Sequence, residues 1–262
     1  MQLSQRPIDK ISKARNQMVV QGNDFIRHAR NQMTSQELDI IYYCISKIKP
    51  ADTELMKLTF TVKEICEICG INNSGKNYRD VKRAVKSISD KSAWVETSTG
   101  VEELIRWFDT FKIQHNTGLI IITLSQSIKP FLIGLIEKGF YTQSELLTFL
   151  ALRSRYSKRL YELLKSYLDG SEKKRYKLFT QHFEIDELKQ LLATEKYDRY
   201  PDFERYVLKI AEREINEVTD ISMSYSAVKT GRKYTGIEFY IQYKKPVERL
   251  EAQTSAEKVL TP

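Results

Sequence analysis

The apolar residues of this chain recur in two patterns, a three-to-four-residue period typical of helices and short alternating runs typical of strands. In the first half these patterns predict, in order, a helix, a strand and two helices followed by strands, at residues 35–48, 57–60, 62–69 and 77–88. In the second half the same order returns at residues 153–168, 176–179, 186–192 and 202–218. Phe60 and Phe179 hold the same place in the two halves, about 120 residues apart, so the chain contains an internal repeat.

A helix, a helix-turn-helix pair and a β-hairpin in this order are typical of a winged helix, whose third helix enters a groove of duplex DNA. We therefore predict an α+β fold with two tandem winged-helix domains related as an internal repeat. The first domain covers residues 18–134 and the second covers residues 135–245. Residues 1–17 and 246–262 are polar and lack a clear period, so we predict a flexible tail at each end.

The charge balance of the chain favours a polyanionic partner. Of its 262 residues, 42 are Lys or Arg and 34 are Asp or Glu, which gives a net charge of +8 and a pI near 9.2. This charge supports binding to nucleic acid without specifying it. The apolar runs of the sequence, such as residues 119–122, are far too short to cross a membrane, and residues 1–10 lack the apolar core of a secretory signal. Three cysteines predict reduced thiols in a cytoplasmic protein rather than a disulfide framework.

The helix predicted at residues 77–88 has one apolar and one basic face. Its apolar residues are spaced three and four apart, at Tyr78, Val81, Ala84, Val85 and Ile88. The helix entry and the opposite face carry five cations, Lys76, Arg79, Lys82, Arg83 and Lys86. In an isolated helix such a face is usually only solvated. As the third helix of a helix-turn-helix, it is predicted to contact DNA.

The corresponding helix of the second half, at residues 202–218, mixes charges of both signs. Its exposed stripe consists of Arg205, Lys209 and Arg213, with Glu212 beside them. Because carboxylates repel phosphates while Arg and Lys reach guanine edges, we predict that this helix reads bases rather than attracting DNA in bulk. An ordinary amphipathic surface helix is the alternative.

Two further basic clusters in the second half are predicted to contact the DNA backbone. One lies in the first turns of the helix at residues 153–168 and consists of Arg153, Arg155 and Lys158. The other is the hairpin turn V-K-T-G-R-K-Y-T-G, with the basic residues Lys229, Arg232 and Lys233 at its tip. A basic wing over the backbone or the minor groove is the expected partner of a recognition helix.

Motifs that would indicate catalysis or metal binding are weak in this chain. The glycine-lysine segment at residues 70–76 lacks the Ser or Thr of a P-loop, since Asn77 follows it, and it comes after a helix rather than a buried strand. Cys66 and Cys69 have the spacing of half a zinc site but lie on an apolar helix face, so we predict buried thiols. The paired-histidine motif that rolling-circle nicking needs is absent from the sequence. We therefore predict no metal, no cofactor and no enzymatic activity.

The aromatic residues have two interpretations. A stacking surface for single-stranded nucleic acid is one of them, formed by Tyr42, Tyr43, Trp94, Trp107, Phe108 and Phe111. These residues alternate with polar ones at strand and helix positions. We therefore predict that they pack in the core.

Four segments of the chain resemble the two-winged-helix replication initiators of iteron-controlled plasmids. They are N-Q-M-T-S-Q-E-L (residues 31–38), S-R-Y-S-K-R-L-Y-E-L-L (154–164), I-N-E-V-T-D (215–220) and K-T-G-R-K-Y-T-G-I-E-F (229–239). The stretch R-Y-S-K-R-L-Y-E-L-L is the most specific, and the likeness covers roughly residues 16–245. The resemblance implies a monomer that binds repeated origin sites in double-stranded DNA with both domains and works with host replication proteins. It also implies a homodimer, joined through the first domain, that represses the protein's own promoter.

We therefore predict a sequence-specific, duplex DNA-binding plasmid replication initiator of the bacterial cytoplasm, with no membrane partner. A tandem winged-helix transcriptional repressor with no role in initiation is the first alternative. An origin-nicking or ATP-driven enzyme is the second. Dependence of plasmid replication on the intact coding sequence distinguishes the initiator from the repressor, and incubation with supercoiled DNA, divalent metal or ATP tests for the enzyme.

Overall fold

The computed structural model of the chain describes residues 7–49, 51–55, 57–71, 77–96, 100–114, 117–168 and 176–260. Its α-helices are α1 (Pro7–Arg15), α2 (Asn23–His28), α3 (Ser35–Ile45), α4 (Val62–Cys69), α5 (Asn77–Ser89), α6 (Leu135–Lys138), α7 (Leu146–Ala151), α8 (Arg155–Lys165), α9 (Ile185–Leu191), α10 (Tyr200–Phe203), α11 (Lys209–Val218) and α12 (Pro246–Val259). Its strands are β1 (Met18–Gly22), β2 (Ala29–Arg30), β3 (Leu58–Thr61), β4 (Ser92–Glu96), β5 (Glu102–Arg106), β6 (Phe108–Gln114), β7 (Leu119–Leu124), β8 (Tyr141–Glu145), β9 (Phe179–Glu184), β10 (Ile221–Thr230) and β11 (Lys233–Tyr243). A 3₁₀ helix spans Gln126–Phe131, and a π-helical segment spans Glu204–Leu208. Each of these helices is too short or too polar to cross a lipid bilayer.

The chain divides into two compact units that alternate along the sequence. The first unit consists of Met1–Gly22, Gln36–Ser92 and Leu104–Leu150. The second unit consists of Asn23–Ser35, Ala93–Glu103 and Ala151–Pro262. Short segments from the first half of the chain are therefore part of the second unit. The domain boundary between residues 134 and 135 stays a prediction.

The first unit contains a winged helix formed by α3, β3, α4, α5, β6 and β7 in chain order. Strand β7 is the centre of an antiparallel sheet, with Phe60 of β3 opposite Ile120 and Phe111 of β6 opposite Ile122. Tyr43 of α3 packs on Phe60, with 4.8 Å between the ring centroids. The hairpin of β6 and β7 is the wing of this unit.

The predicted burial of the aromatic residues holds for most of them. It is confirmed for Tyr42, Tyr43, Trp107 and Phe108. Tyr42 also stacks on Phe149, with 4.1 Å between the ring centroids. Phe111 is half-buried. The prediction is wrong for Trp94, which is 50% exposed, because the residues on either side of it in β4 are the ones that point into the core.

The second unit contains a winged helix formed by α8, β9, α9, the helix from α10 to α11, β10 and β11. Strand β11 is the centre of its antiparallel sheet, with Ile237 opposite both Phe183 of β9 and Ala227 of β10. Two winged-helix folds of the α+β class are therefore present, as the repeat in the hydrophobic pattern predicts.

The strand predicted at residues 176–179 is wrong in position. Strand β9 begins at Phe179 and continues to the start of α9, and Phe179 is 38% exposed. The buried counterpart of Phe60 is instead Phe183, since each of them lies two residues before a helix and is 3% exposed. The sequence interpretation matched the wrong phenylalanine of the segment F-T-Q-H-F.

The prediction of flexible tails is wrong for the described residues near both ends. Near the N terminus, Arg15 of α1 donates hydrogen bonds to the carbonyl oxygens of Glu67 and Ile68 at the end of α4, each at 3.0 Å. Near the C terminus, α12 packs against α11 and buries Ala252 and Ala256. Two alanines one helical turn apart fill this contact. Because such small side chains add little to the hydrophobic pattern, the sequence did not indicate a packed helix here.

Candidate nucleic-acid interface

In the first unit, α5 has the predicted division into a buried and a basic face. Val81, Val85 and Ile88 are fully buried. The basic side chains are exposed, and they are Arg79, Lys82, Arg83 and Lys86. Lys76 lies outside the described residues. Four cations on the solvent side of a rigid helix form a surface suited to phosphate contacts.

Two acidic side chains, one in α5 and one just after its end, partly neutralise the positive charge of this surface. Arg83 lies 3.4 Å from the carboxylate of Asp80, and Lys86 forms an ion pair with Asp90. These pairs are exposed, so a phosphate can replace the carboxylate at small cost. Arg79 and Lys82 form no ion pair with a described residue.

Helix α4, which precedes the basic helix in the chain, is capped at both ends. Thr61 caps the N terminus of α4 by accepting a hydrogen bond from the Glu64 amide at 3.0 Å. Gly70 ends the helix in the left-handed region with a φ of 67°, and the Ile71 amide donates to the Cys66 carbonyl oxygen at 2.8 Å. The first glycine of the glycine-lysine segment is therefore a helix cap, in agreement with its interpretation as part of a helix-turn-helix.

In the second unit, the helix from Tyr200 to Val218 presents the predicted basic stripe. Its buried face consists of Phe203, Val207, Ala211, Ile215 and Val218. Its exposed stripe consists of Arg205, Lys209 and Arg213, spaced four residues apart. The helix begins two residues earlier than predicted, and it includes a π-helical segment, Glu204–Leu208, that contains Arg205. We call this continuous helix the recognition helix.

Tyrosine rings surround the start of the recognition helix, and the sequence interpretation missed them. Tyr206 is 42% exposed. Its ring stacks on that of Tyr197, with 5.7 Å between centroids and 20° between planes. The guanidinium of Arg205 lies 5.3 Å from the centre of the Tyr206 ring. A tyrosine next to a predicted contact residue on an exposed helical stripe was the available signal.

The wing of the second unit is the hairpin of β10 and β11. Lys229, Arg232 and Lys233 are exposed at its tip, where Gly231 takes up the left-handed conformation with a φ of 64°. Tyr234 of this wing stacks on Tyr200 at the start of the recognition helix, with ring centroids 3.9 Å apart. The Lys229 ammonium lies 4.4 Å from the centre of the same Tyr234 ring. The stack joins the wing to the recognition helix and fixes where the basic tip lies relative to it.

The structure corrects the predicted basic cluster at the start of α8. Arg153 is exposed as predicted, but Lys158 is fully buried and cannot reach a phosphate. Arg155 is half-buried and donates hydrogen bonds to the carbonyl oxygens of Met33 at 3.3 Å and Ala193 at 2.9 Å. The physical reason is that α8 is the central helix of the second unit, so its polar residues bond internally.

The polar residues of α8 form buried ion pairs that hold the second unit together. Arg159 pairs with Glu162, and its guanidinium also donates to the carbonyl oxygen of Ala29 at 3.1 Å. Lys165 lies 2.7 Å from a carboxylate oxygen of Asp220, at the junction of the recognition helix and β10. The stretch R-Y-S-K-R-L-Y-E-L-L therefore stabilises the unit rather than forming a DNA-contact surface.

The cysteines are buried free thiols, as predicted for Cys66 and Cys69. Burial raises the pKa of Cys44 to about 12 and raises the pKa of Cys66 above its ordinary value. Protonated thiols are poor metal ligands and poor nucleophiles. Among the described residues, no group of three or more His, Cys, Asp or Glu side chains is arranged to hold a metal ion.

Two family descriptions match successive parts of the chain. Residues 18–165 match the initiator replication protein family, WH1, and residues 184–241 match the initiator Rep protein family, WH2. The first match alone covers more than half of the 262 residues. The chain belongs to the family of replication initiator proteins.

A curated protein and a solved structure are similar to this chain. The PI protein of Escherichia coli is 33% identical over 135 residues, which are 47% of this chain and 43% of that protein. The chain thus aligns with less than half the length of this curated relative. The crystal structure of the Pi initiator protein in complex with iteron DNA has a TM-score of 0.69, covering 88% of this chain and 99% of that chain at 19% identity. At this level of identity the likeness establishes the fold.

Proposed function

We propose that this protein is a plasmid replication initiator that binds repeated origin sites, or iterons, in double-stranded DNA. The observation that carries the proposal is the exposed stripe Arg205, Lys209 and Arg213 on a helix whose other face is buried. Membership in the initiator family and the likeness to a protein solved with iteron DNA support the same function.

The recognition helix is proposed to read base edges in the major groove. Arg213 lies eight positions after Arg205, so the stripe extends about 12 Å along a helix axis. That length matches roughly three to four base pairs at about 3.4 Å each. Arginine and lysine are suited to the oxygen and nitrogen acceptors of guanine, and each good bidentate contact contributes about 1–3 kcal/mol of discrimination.

The other basic surfaces are proposed to contact the DNA backbone. The wing tip, with Lys229, Arg232 and Lys233, is joined to the recognition helix through the stack of Tyr200 on Tyr234. Contact of the tip with phosphates would therefore orient the helix in its groove. The exposed cations of α5 supply the corresponding contacts from the first unit, and such contacts set register without carrying sequence information.

Footprinting on the DNA that flanks the coding sequence tests the proposal. We expect protection of several direct repeats, spaced by about one helical turn or a multiple of it. Deletion of those repeats, or a stop codon early in the coding sequence, should abolish replication of a plasmid that has no other origin. Protection of a single inverted repeat, with replication unaffected by the stop codon, would favour the repressor instead.

Three further parts complete the proposal, the first two from the family resemblance and the third from the weakness of catalytic motifs in the sequence. A homodimer joined through the first domain, residues 18–134, represses the protein's own promoter, host replication proteins are recruited to the origin, and the protein itself catalyses no reaction. Sedimentation with and without promoter DNA tests the dimer. Incubation with supercoiled DNA and a divalent metal tests the last part, since nicked circles formed by the pure protein would contradict it.

A further inference from the structure

A chain of aromatic contacts leads from the core of the second unit to its proposed DNA-reading stripe. Tyr156 of α8 is 9% exposed. Tyr197, in the loop before the recognition helix, meets Tyr156 edge to face, with 6.3 Å between the ring centroids. Tyr197 in turn stacks on Tyr206, and the Arg205 guanidinium lies against the Tyr206 ring.

The inner end of this chain is held in place by hydrogen bonds. Arg155 donates to the hydroxyl oxygen of Tyr156 at 3.3 Å and to the carbonyl oxygen of Ala193 at 2.9 Å. The loop that carries Tyr197 is closed by the Thr194 amide, which donates to the Lys189 carbonyl oxygen at 2.8 Å. Tyr197 is therefore a fixed support for the ring of Tyr206.

Tyr206 is exposed beside the basic stripe and follows Arg205 directly, within the π-helical segment Glu204–Leu208 of the recognition helix. An exposed tyrosine at such a position would be open to rotation unless another ring held it. Here the stack on Tyr197 limits its rotamers, and the ring in turn limits those of Arg205.

We propose that Tyr206, supported by Tyr197, is a positioning residue that holds the Arg205 guanidinium ready to read a base edge. This inference rests on the proposed function, because it assigns Arg205 to base contact. A guanidinium oriented before binding loses less rotamer freedom when it docks, so its contact with the correct base is strengthened. The benefit falls on specific DNA, since a random site offers no matching base edge.

A double-mutant cycle between the two residues tests the proposal. The quantity measured is the ratio of the dissociation constants for random and origin-repeat duplexes, by fluorescence anisotropy at several salt concentrations. We expect Tyr206→Leu to lower this ratio about three-fold, the size of an exposed cation–π contact. Arg205→Ala should lower it about ten-fold or more, as loss of a base contact does. In the Arg205→Ala background, Tyr206→Leu should have no further effect.

Three controls make the result specific. Tyr206→Phe keeps the ring and should keep the ratio, while Tyr197→Leu removes the support and should lower the ratio as Tyr206→Leu does. Tyr176→Leu removes an exposed tyrosine outside the recognition helix and should change nothing. The salt slope of Tyr206→Leu should equal that of the wild type, because no phosphate contact is lost. Thermal unfolding checks that each variant is folded. If Tyr206→Leu is not folded, the ratio is compared between Tyr197→Leu, which removes the supporting ring, and Tyr206→Phe, which keeps both rings.

The outcomes separate this proposal from the function on which it rests. If wild-type protein binds random and origin-repeat DNA equally, the proposed function fails, and this inference fails with it. If the wild type discriminates but Tyr206→Leu retains its ratio, the positioning role is wrong. If the effects of Tyr206→Leu and Arg205→Ala multiply in the double variant, Tyr206 acts independently of Arg205, which also overturns the inference.

Discussion

The buried ion pair between Lys165 and Asp220 provides a sharp test of how the second unit is held together. The Lys165 ammonium lies 2.7 Å from one carboxylate oxygen of Asp220, and the Tyr161 hydroxyl donates to the other at 2.7 Å. Because Asp220 begins the connection from the recognition helix to β10, this network fixes that helix to α8. Lys165→Met keeps the apolar part of the side chain and removes the charge.

We expect Lys165→Met to lower the free energy of unfolding by about 3 kcal/mol, the lower end of the cost of breaking a buried ion pair. The lower end applies because Asp220 keeps its hydrogen bond from Tyr161 and is 22% exposed. The double variant Lys165→Met/Asp220→Asn should recover much of the loss, since it carries no buried carboxylate. Lys258→Met, which removes an exposed lysine of α12, is the matched control and should have little effect.

The stability difference between the wild type and Lys165→Met should also depend on pH, and the direction of that dependence follows from the pKa of Asp220. Burial alone raises the pKa of Asp220, but Lys165 and the Tyr161 hydroxyl outweigh it and hold the pKa below its ordinary value. In the wild type, this carboxylate therefore contributes stability above its unfolded pKa of about 4. That contribution is lost as the pH falls through the lower folded pKa. Without Lys165, burial raises the folded pKa instead, so the charged carboxylate reduces stability at neutral pH and protonation removes the cost.

Urea unfolding, followed by circular dichroism at pH values from neutral to about 4, measures this difference. The stability gap between the wild type and Lys165→Met should be largest near pH 7 and should narrow in acid. A gap that stays constant across this range, or that Lys258→Met reproduces, would refute the account of the buried pair.

Three further predictions concern other parts of the molecule. Gly236→Ala should lower the free energy of unfolding by about 1 kcal/mol, because a Cβ there would lie 3.0 Å from the Phe183 carbonyl oxygen and would also displace the exposed His182 ring; an unchanged thermal midpoint would contradict this. Replacing both cysteines of α4 with valine should lower stability modestly, and metal analysis of the purified protein should find no stoichiometric zinc, whereas one zinc per chain, lost on substitution, would overturn the packing argument. Lys209→Ala should lower the ratio of random to origin-repeat dissociation constants, whereas Lys86→Ala should weaken both complexes nearly equally and flatten the salt slope by about one unit; parallel losses in both variants would contradict the proposed division of labour.

The amphipathic helices were the most predictable part of the structure. Helix α4 has the limits that its sequence predicts, because Thr61 and Gly70 are strong end signals. The buried face of α5 follows from the spacing of its apolar residues. The exposed basic stripe of the recognition helix was predictable for the same reason. In each case local periodicity decides which face is buried.

Central helices cannot be recognised from periodicity in the same way. The hydrophobic pattern of α8 predicts one exposed face, but residues 156–166 are all buried. Lys158, Arg159 and Lys165 are therefore internal, and partners distant in sequence, such as Asp220, decide their environment. The tyrosines around Arg205 were missed for a related reason, because their stacking depends on a loop and a helix meeting in space.

The salt dependence of DNA binding tests the central claim most directly. Fluorescence anisotropy with an origin-repeat duplex, over a range of salt concentrations, gives the slope of log affinity against log salt. With the cations of α5, the recognition helix and the wing on phosphates and bases, we expect a slope of about −5 or steeper. A slope near −1 corresponds to about one phosphate contact. It would mean that these basic surfaces are merely solvated, and it would contradict the account of this protein as a DNA-binding initiator.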